Sequence, residues 1–514
     1  MAERYSFIFN RFYRTAIIKN ILALGGILVT LTTITSCDDK LSALPTQSKV
    51  DGNLIVDQKS AEYALNGIYY QYAQCTTDNY NIESTGCCSL YEIYPANVAG
   101  TIVYYQGPYM FETHGGPYYE MYNSYIWLPF YQQLAAANSV IDQVKSAPDS
   151  WFNGNRKNEI LGEASFMRAL IHYNILRMFG YYWDIDSPYG AIIRTEPSTS
   201  HNISKPRNTV KETYDAIMDD LEFAINNMPE ENPNYYANVW VAKGLKVRVL
   251  MMRGQGNDYV DAASLALDII ENGPYELEPH TTDIFHTKGL SSMEVMVGIQ
   301  PKSNQTDVLE AYYYRETPQW LPSDNFIALF ENDPRKAELF LEQEVTTSEY
   351  VFEEDGSYHL ETVVKIFNTI CKHMPPTALY ATDTEESQYQ MRLGEMYLLR
   401  AEALARTNNL PEAKNVLRTV MEHAGITDFT ELDNADDEHA FMQVYFNEYL
   451  KNLFCESGRE WDIMMRMPSD IVLDFNPEYA NIQYSIFPIP SDEFKHNYSL
   501  TKDDQNPGYS IAGA

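Results

Sequence analysis

The chain has 514 residues, with 37 Lys or Arg against 71 Asp or Glu, a formal charge of −34. So acidic a surface repels nucleic-acid phosphate, which needs basic contacts, and repels anionic lipid headgroups in the same way. An apolar content of 45% is ample for a real core, and the length suits one large domain or two or three smaller ones.

At the start, Arg4, Arg11, Arg14 and Lys19 precede an apolar run from Ile21 to Leu31, and Thr33-Ile34-Thr35-Ser36 leads to Cys37. That order predicts a secretory signal peptide over residues 1–36. The run is too short, and too broken by Thr and Gly, for a transmembrane helix. A Cys placed directly behind it resembles a bacterial lipobox, which implies cleavage before Cys37 and lipidation of its thiol, by palmitate among other chains. Cleavage removes four basic residues and one acidic residue, leaving 33 against 70 and a net charge of −37. The expected anchor is therefore covalent lipid rather than a basic patch. Residues 37–50 lack periodicity, contain Pro45 and read as a tether.

Residues 51–514 read as one domain, with an N-terminal helical part at 51–272 and a C-terminal part at 273–514. Helical patterning starts near Lys59. A Tyr/Gly/Pro-rich insertion, residues 74–121, follows without a clear helix as far as about Pro117. Tyrosine is the outlier of the composition: 40 Tyr against 22 Phe, with fifteen of them between Tyr63 and Tyr131. Cys75 could pair with Cys87 or Cys88, or all three could be free thiols. Cys371 and Cys455 complete the set, and no CxxC or Cys/His zinc spacing occurs.

Helices resume from about Tyr122 to Lys145. Ile160, Ala164, Met167, Ile171, Ile175 and Met178 then recur at spacings of three and four, and Gly180 closes that helix. Another starts after Thr209 and stops near Met228, before Pro229. Two stretches predict helical hairpins. In one, the stripe Trp240, Gly244, Val247 and Met251 meets Tyr259, Ala263, Ala266 and Ile270 across a turn at Gly254 to Asn257. In the other, Met391, Gly394, Leu398, Ala401 and Ala405 meet Ala413, Val416, Val420 and Met421 across Thr407 to Leu410. Small residues where the helices cross resemble tetratricopeptide units. The predicted fold is mainly α, a tetratricopeptide-like hairpin scaffold with long loop-rich insertions and a few short strands. One strand is predicted at Glu294 to Gln300, within a mixed region from Pro274 to Tyr380. The chain beyond Met467 reads as loop-rich, with five prolines.

No GxSxG, HExxH, phosphate loop or dinucleotide fingerprint occurs, and the ten His have no metal spacing. Pairs of carboxylates are inevitable among 71 acidic residues, so they do not single out a glycoside hydrolase. The expectation is a binding protein, not an enzyme, with no cofactor. Tyrosine combines a flat apolar body with a polar tip, suited to stacking on a ligand with apolar faces and a hydroxyl rim. The candidate ligand-binding residues are Tyr104, Tyr105, Tyr109, Tyr118 and Tyr119 in the first insertion, with Tyr313 and Trp320 in the second. Rings in such loops can equally pack on the scaffold or on a partner.

Several motifs follow one another in a familiar order. Cys37 is followed by Asp38-Asp39. Trp127-Leu128-Pro129-Phe130-Tyr131 leads to Asn138. Gly162-Glu163-Ala164 through Arg168-Ala169 runs on to Phe179-Gly180. Asp333-Pro334-Arg335, then Arg392 to Ala403, then Glu456-Ser457-Gly458-Arg459-Glu460-Trp461-Asp462 follow, and Phe487 to Pro490 and Gln505 to Tyr509 close the series. This series resembles the SusD/RagB family of Bacteroidetes surface lipoproteins over nearly the whole mature length. The chain departs from the family at Leu41-Ser42, at Asn447-Glu448, and at Cys455 and Ser457. Glu163, Arg168, Trp127, Arg459 and Trp461 are expected to be structural, because buried charge needs a partner. The resemblance implies an outer-membrane, nutrient-uptake lipoprotein facing the cell exterior. Such a protein captures glycan and hands it to a SusC-like TonB-dependent transporter. A peptide-binding RagB-like role, or a surface glycoside hydrolase, is the alternative.

Overall fold

The computed structural model describes residues 54–74, 92–105, 117–299, 313, 318–353, 357–374, 387–480 and 486–511. Cys37, the tether, Cys75, Cys87, Cys88 and Tyr109 lie outside them. Residues 55 onward form a single contact unit.

The N-terminal half is helical. It comprises α1 (Gln58–Gln74), α2 (Tyr94–Ala99), β1 (Ile102–Tyr104), α3 (Pro117–Ser146), α4 (Arg156–Phe179), α5 (Val210–Asn227), α6 (Val239–Arg253) and α7 (Asp258–Asn272). The second half opens with β2 (Val295–Ile299), β3 (Trp320–Pro322), α8 (Asp324–Ala328), β4 (Phe340–Phe352), β5 (Tyr358–Ile370) and β6 (Gln388–Arg392). It continues with α9 (Leu393–Arg406), α10 (Leu410–His423), α11 (Glu438–Leu453), α12 (Arg459–Met464), α13 (Ser469–Phe475) and α14 (Ser491–His496). Each sheet has two strands, β1 with β3, β2 with β6 and β4 with β5, all antiparallel.

The apolar periodicity dictates the frame. Ile160, Ala164, Met167, Ile171, Ile175 and Met178 are all buried on α4, which packs between α3 and α5. Thr209 starts α5 through a capping box: its hydroxyl accepts from Glu212 N–H, and the Glu212 carboxylate accepts from Thr209 N–H. The two predicted hairpins form as α6–α7 and α9–α10. They also meet, because α7 packs on α9 although 120 residues separate them in sequence.

Three expectations need correction. Gly244 does not serve a helix crossing; a Cβ there would collide with Met391 Sδ of β6, so the glycine admits the strand. The first insertion is not devoid of helix, since α2 and β1 lie inside it. The mixed region holds a long hairpin, β4–β5, thirteen residues a side, that the sequence reading left undivided.

Most of the motif residues are joined by buried ion pairs. Arg168 grips Asp220 with two bonds of 2.6 and 2.8 Å. Arg335 holds both Asp333 and Glu448, so the departure at Asn447-Glu448 still supplies a carboxylate to the Asp-Pro-Arg motif. Arg392 reaches Glu294 and Glu456, and Lys372 also reaches Glu456. Trp127 Nε1 donates to Glu493 at 3.0 Å. Glu163, itself buried, accepts from Arg156 and from the Tyr69 hydroxyl. Removing one member of such a pair leaves an uncompensated buried charge and costs about 3–5 kcal/mol. These residues therefore maintain the frame.

Candidate functional site

The candidate ligand site is a short aromatic ladder. Tyr104 on β1 is registered opposite Trp320 on β3, with ring centroids 5.4 Å apart and planes at 58°. Tyr105 adds an edge contact to Tyr104 at 5.3 Å. Tyr104 and Tyr105 are half-buried, whereas Trp320 is only 3% exposed. The structure thus joins residues from both predicted insertions, more than 200 positions apart. The two tyrosine rings are half-buried, and Trp320 packs behind Tyr104.

Local chemistry explains why the ladder forms. α2 ends at Gly100, whose φ of +85° lies in the left-handed region. A side chain there would also strike Asn476, whose amide caps the helix by donating to the carbonyls of Val98 and Ala99. The chain then turns sharply into β1. Ser323 N–H donates to Thr101 O at 2.9 Å and Ser323 Oγ to Gly100 O at 2.6 Å, while Tyr105 N–H donates to Gln319 O. Ser323 Oγ also accepts from Phe326 N–H as the N-cap of α8. Gln319 and Asp324, near Trp320 in sequence, are exposed polar groups.

The remaining candidates are placed differently. Tyr313 is fully buried: its hydroxyl donates to Glu92 Oε1 at 2.8 Å and its ring stacks on His373. It is a core residue in this structure and offers no open face, contrary to the platform expected of it. Tyr118 and Tyr119 fall in the first turn of α3 rather than in a loop, and their side chains, like Tyr109 entirely, lie outside the described residues.

Beneath Tyr313 the electrostatics are unusual. Burial, opposed by the Tyr313 bond and helped by neighbouring Glu460, pushes the Glu92 carboxyl up to about 8. Burial likewise pushes Glu460 up to about 7. Both carboxyls are sealed from solvent, so they are placed for the core and not for hydrolysis of a bound glycan. Among the described residues no group of three or more His, Cys, Asp and Glu could hold a metal ion. No described helix is long and apolar enough to cross a membrane.

Sequence reasoning missed a second concavity. A cavity of about 330 Å³ lies among α1, α4, α6, the β2–β6 ladder and the turn at Ser457 to Arg459. Tyr69, Tyr70 and Tyr236 give it aromatic walls, and Arg177, Arg248 and Arg459 line it too. Helix periodicity marks such residues as core, so only their three-dimensional assembly shows that they enclose space.

Residues 45–250 match the family model described as "Starch-binding associating with outer membrane", and residues 331–509 match the model described as "SusD family". The chain is 26% identical over 182 residues to a SusD-like protein of Bacteroides ovatus, covering 34% of this chain and 32% of that protein. It is 22% identical over 430 residues to SusD-like protein P2 of Formosa agariphila, covering 75% and 80%. Among solved structures, a SusD superfamily protein of Bacteroides thetaiotaomicron superimposes with a TM-score of 0.68 at 22% identity, over 88% of this chain and all of the other. A SusD-like carbohydrate binding protein of Bacteroides vulgatus gives 0.67 at 19% identity, over 90% and 100%. NanU of Bacteroides fragilis gives 0.65 at 18%, over 91% and 100%.

Proposed function

Because the chain belongs to the SusD/RagB family, we propose that it is a non-catalytic binding lipoprotein of the outer membrane, anchored through Cys37 and facing the cell exterior. It captures oligosaccharide and delivers it to a SusC-like TonB-dependent transporter. The observation that carries glycan capture is the Tyr104–Tyr105–Trp320 ladder. Sugar rings have apolar C–H faces and hydroxyl rims, and this ladder offers aromatic carbon with phenol hydroxyls at its edge. Relatives described as starch-binding and carbohydrate-binding point the same way.

Calorimetry with a panel of oligosaccharides and peptides tests the reading. Saturable binding of one glycan class, weakened by Tyr104→Ala and by Tyr105→Ala, supports it. Binding of peptides alone would replace it with a RagB-like peptide role, and turnover of a bound glycan would replace it with hydrolysis. Anchoring and delivery have their own checks. Cys37→Ser should abolish acyl labelling, and gentle purification from native outer membranes should recover a TonB-dependent barrel.

A further inference from the structure

The cavity among α1, α4, α6 and the β2–β6 ladder has a chemistry unlike that of the aromatic ladder. Its walls are mostly carbon, from Phe166, Leu170, Val241, Leu245, Ile299 and Met391. Its volume, about 330 Å³, is at the small end of small-molecule sites, which run to roughly 1,000 Å³. Tyr69 and Tyr236 meet edge to face at 4.9 Å beside it. A neutral hexose, with hydroxyls on every side, would leave most of them unbonded against such walls.

The polar side of the cavity is cationic. Arg177 is 2% exposed and Arg459 3%, and both share a single carboxylate, Asp462. Arg177 Nη1 donates to Asp462 Oδ1 at 3.0 Å, and Arg459 Nη1 lies 2.7 Å from Asp462 Oδ2. Their other hydrogen bonds go to one carbonyl, Ser457 O, at 3.2 and 3.1 Å. The Nε–H of each guanidinium is buried without an acceptor. Burial pushes the Asp462 carboxyl up, but Arg177 and Arg459 outweigh this and hold it below the ordinary range, so it carries its charge. Arg248, the third arginine of the wall, is already neutralised by a two-pronged pair with Glu395. Two guanidiniums against one carboxylate leave one positive charge in the wall of an aromatic, carbon-lined space. A buried charge so incompletely balanced favours an anionic partner.

We infer that this cavity is a second ligand site, distinct from the aromatic ladder, that takes a small aromatic carboxylate. The ring lies among Tyr69, Tyr236 and Phe166, and the carboxylate lies toward the side of the wall formed by Arg177 and Arg459.

Indole-3-acetate is a suitable probe, with indole-3-acetamide as its uncharged isostere, titrated into the purified full chain by calorimetry and by thermal shift. The acetate should bind saturably and raise the unfolding temperature, and the acetamide should bind at least tenfold more weakly. Leu170→Trp, which fills the cavity from a half-buried position on α4, should remove acetate binding without lowering the unfolding temperature. Ala73→Phe on the rim serves the same purpose if the first variant does not fold. Tyr104→Ala should leave acetate binding unchanged, which keeps this site separable from glycan capture. Absence of heat and of thermal shift at millimolar acetate would show that this wall draws no anion, and would overturn the inference. Equal binding of the acetamide, or full binding in a folded cavity-filling variant, would overturn it as well.

Discussion

The ladder at Tyr104 and the site of Tyr313 make an instructive pair. Both lie in aromatic-crowded stretches without helical periodicity, and both had the same expected role. Tyr104 is half-buried on β1, which among the described residues pairs with β3 alone. Tyr313 is drawn inside by a hydrogen bond to a buried carboxyl and by stacking on a buried imidazole. Identical residue types thus end at different depths, one half-buried on a two-stranded ladder and one sealed in the core. An aromatic ring becomes a recognition surface only where the fold leaves its face uncovered.

Tyr313→Ala should separate the two regions most sharply. Emptying a fully buried aromatic site costs about 3–5 kcal/mol, and the unpaired Glu92 adds to it. Chemical denaturation should show this loss, and a variant as stable as wild type would place Tyr313 on the surface after all.

The next effect is on pH dependence. Glu92 and Glu460 titrate near 8 and 7 in the folded chain, above the unfolded carboxylate value near 4.5. The folded state therefore holds these protons longer, and stability falls as pH rises through the window from about 4.5 to 8. Burial lowers His172 to about 3 and His373 to about 4, so those groups lose stability only as pH falls below their unfolded value near 6.5. Between about 6.5 and 8 the carboxyls dominate. Denaturation midpoints should decline across that interval, and Glu92→Gln should flatten the decline. A slope unchanged by Glu92→Gln would contradict the burial that separates this region from the ladder.

On the ladder the expectations reverse. Tyr104→Ala should weaken glycan binding by about 1–3 kcal/mol while the unfolding temperature stays near wild type. A large stability loss instead would make Tyr104 a second Tyr313. Gly100→Ala tests the ladder from its backbone. The left-handed φ alone disfavours it by about 1–2 kcal/mol, and the displaced Asn476 uncaps α2, so affinity should fall although no ligand-facing ring has changed. Undiminished affinity there would show that the turn does not set the position of Tyr104.

The frame was readable because helices are periodic and locally capped. The α4 stripe and the Thr209–Glu212 box are settled within a few residues of chain. The β4–β5 hairpin escaped although its signal was present: β-branched runs flank Asp355-Gly356, a strong hairpin pair. Of the candidate site, Tyr104, Tyr105 and Trp320 were legible as residues but not as neighbours. Of the Arg177–Asp462–Arg459 cluster, Arg459 and Asp462 were legible only as residues of one motif, and Arg177 not at all, since its helix pattern says only that it is buried.

The sequence by itself therefore determined the family, the helical scaffold, its hairpins and the basic-apolar-Cys start, because each rests on short-range order or on collinear motifs. Only the tertiary structure decided which aromatic rings lie open, which carboxyls are sealed and where the interior stays hollow. Those properties depend on partners a hundred or more positions away, such as Glu92 for Tyr313 and Asp462 for Arg177. Burial and pairing are sums over such neighbours, and no local stretch of sequence contains them.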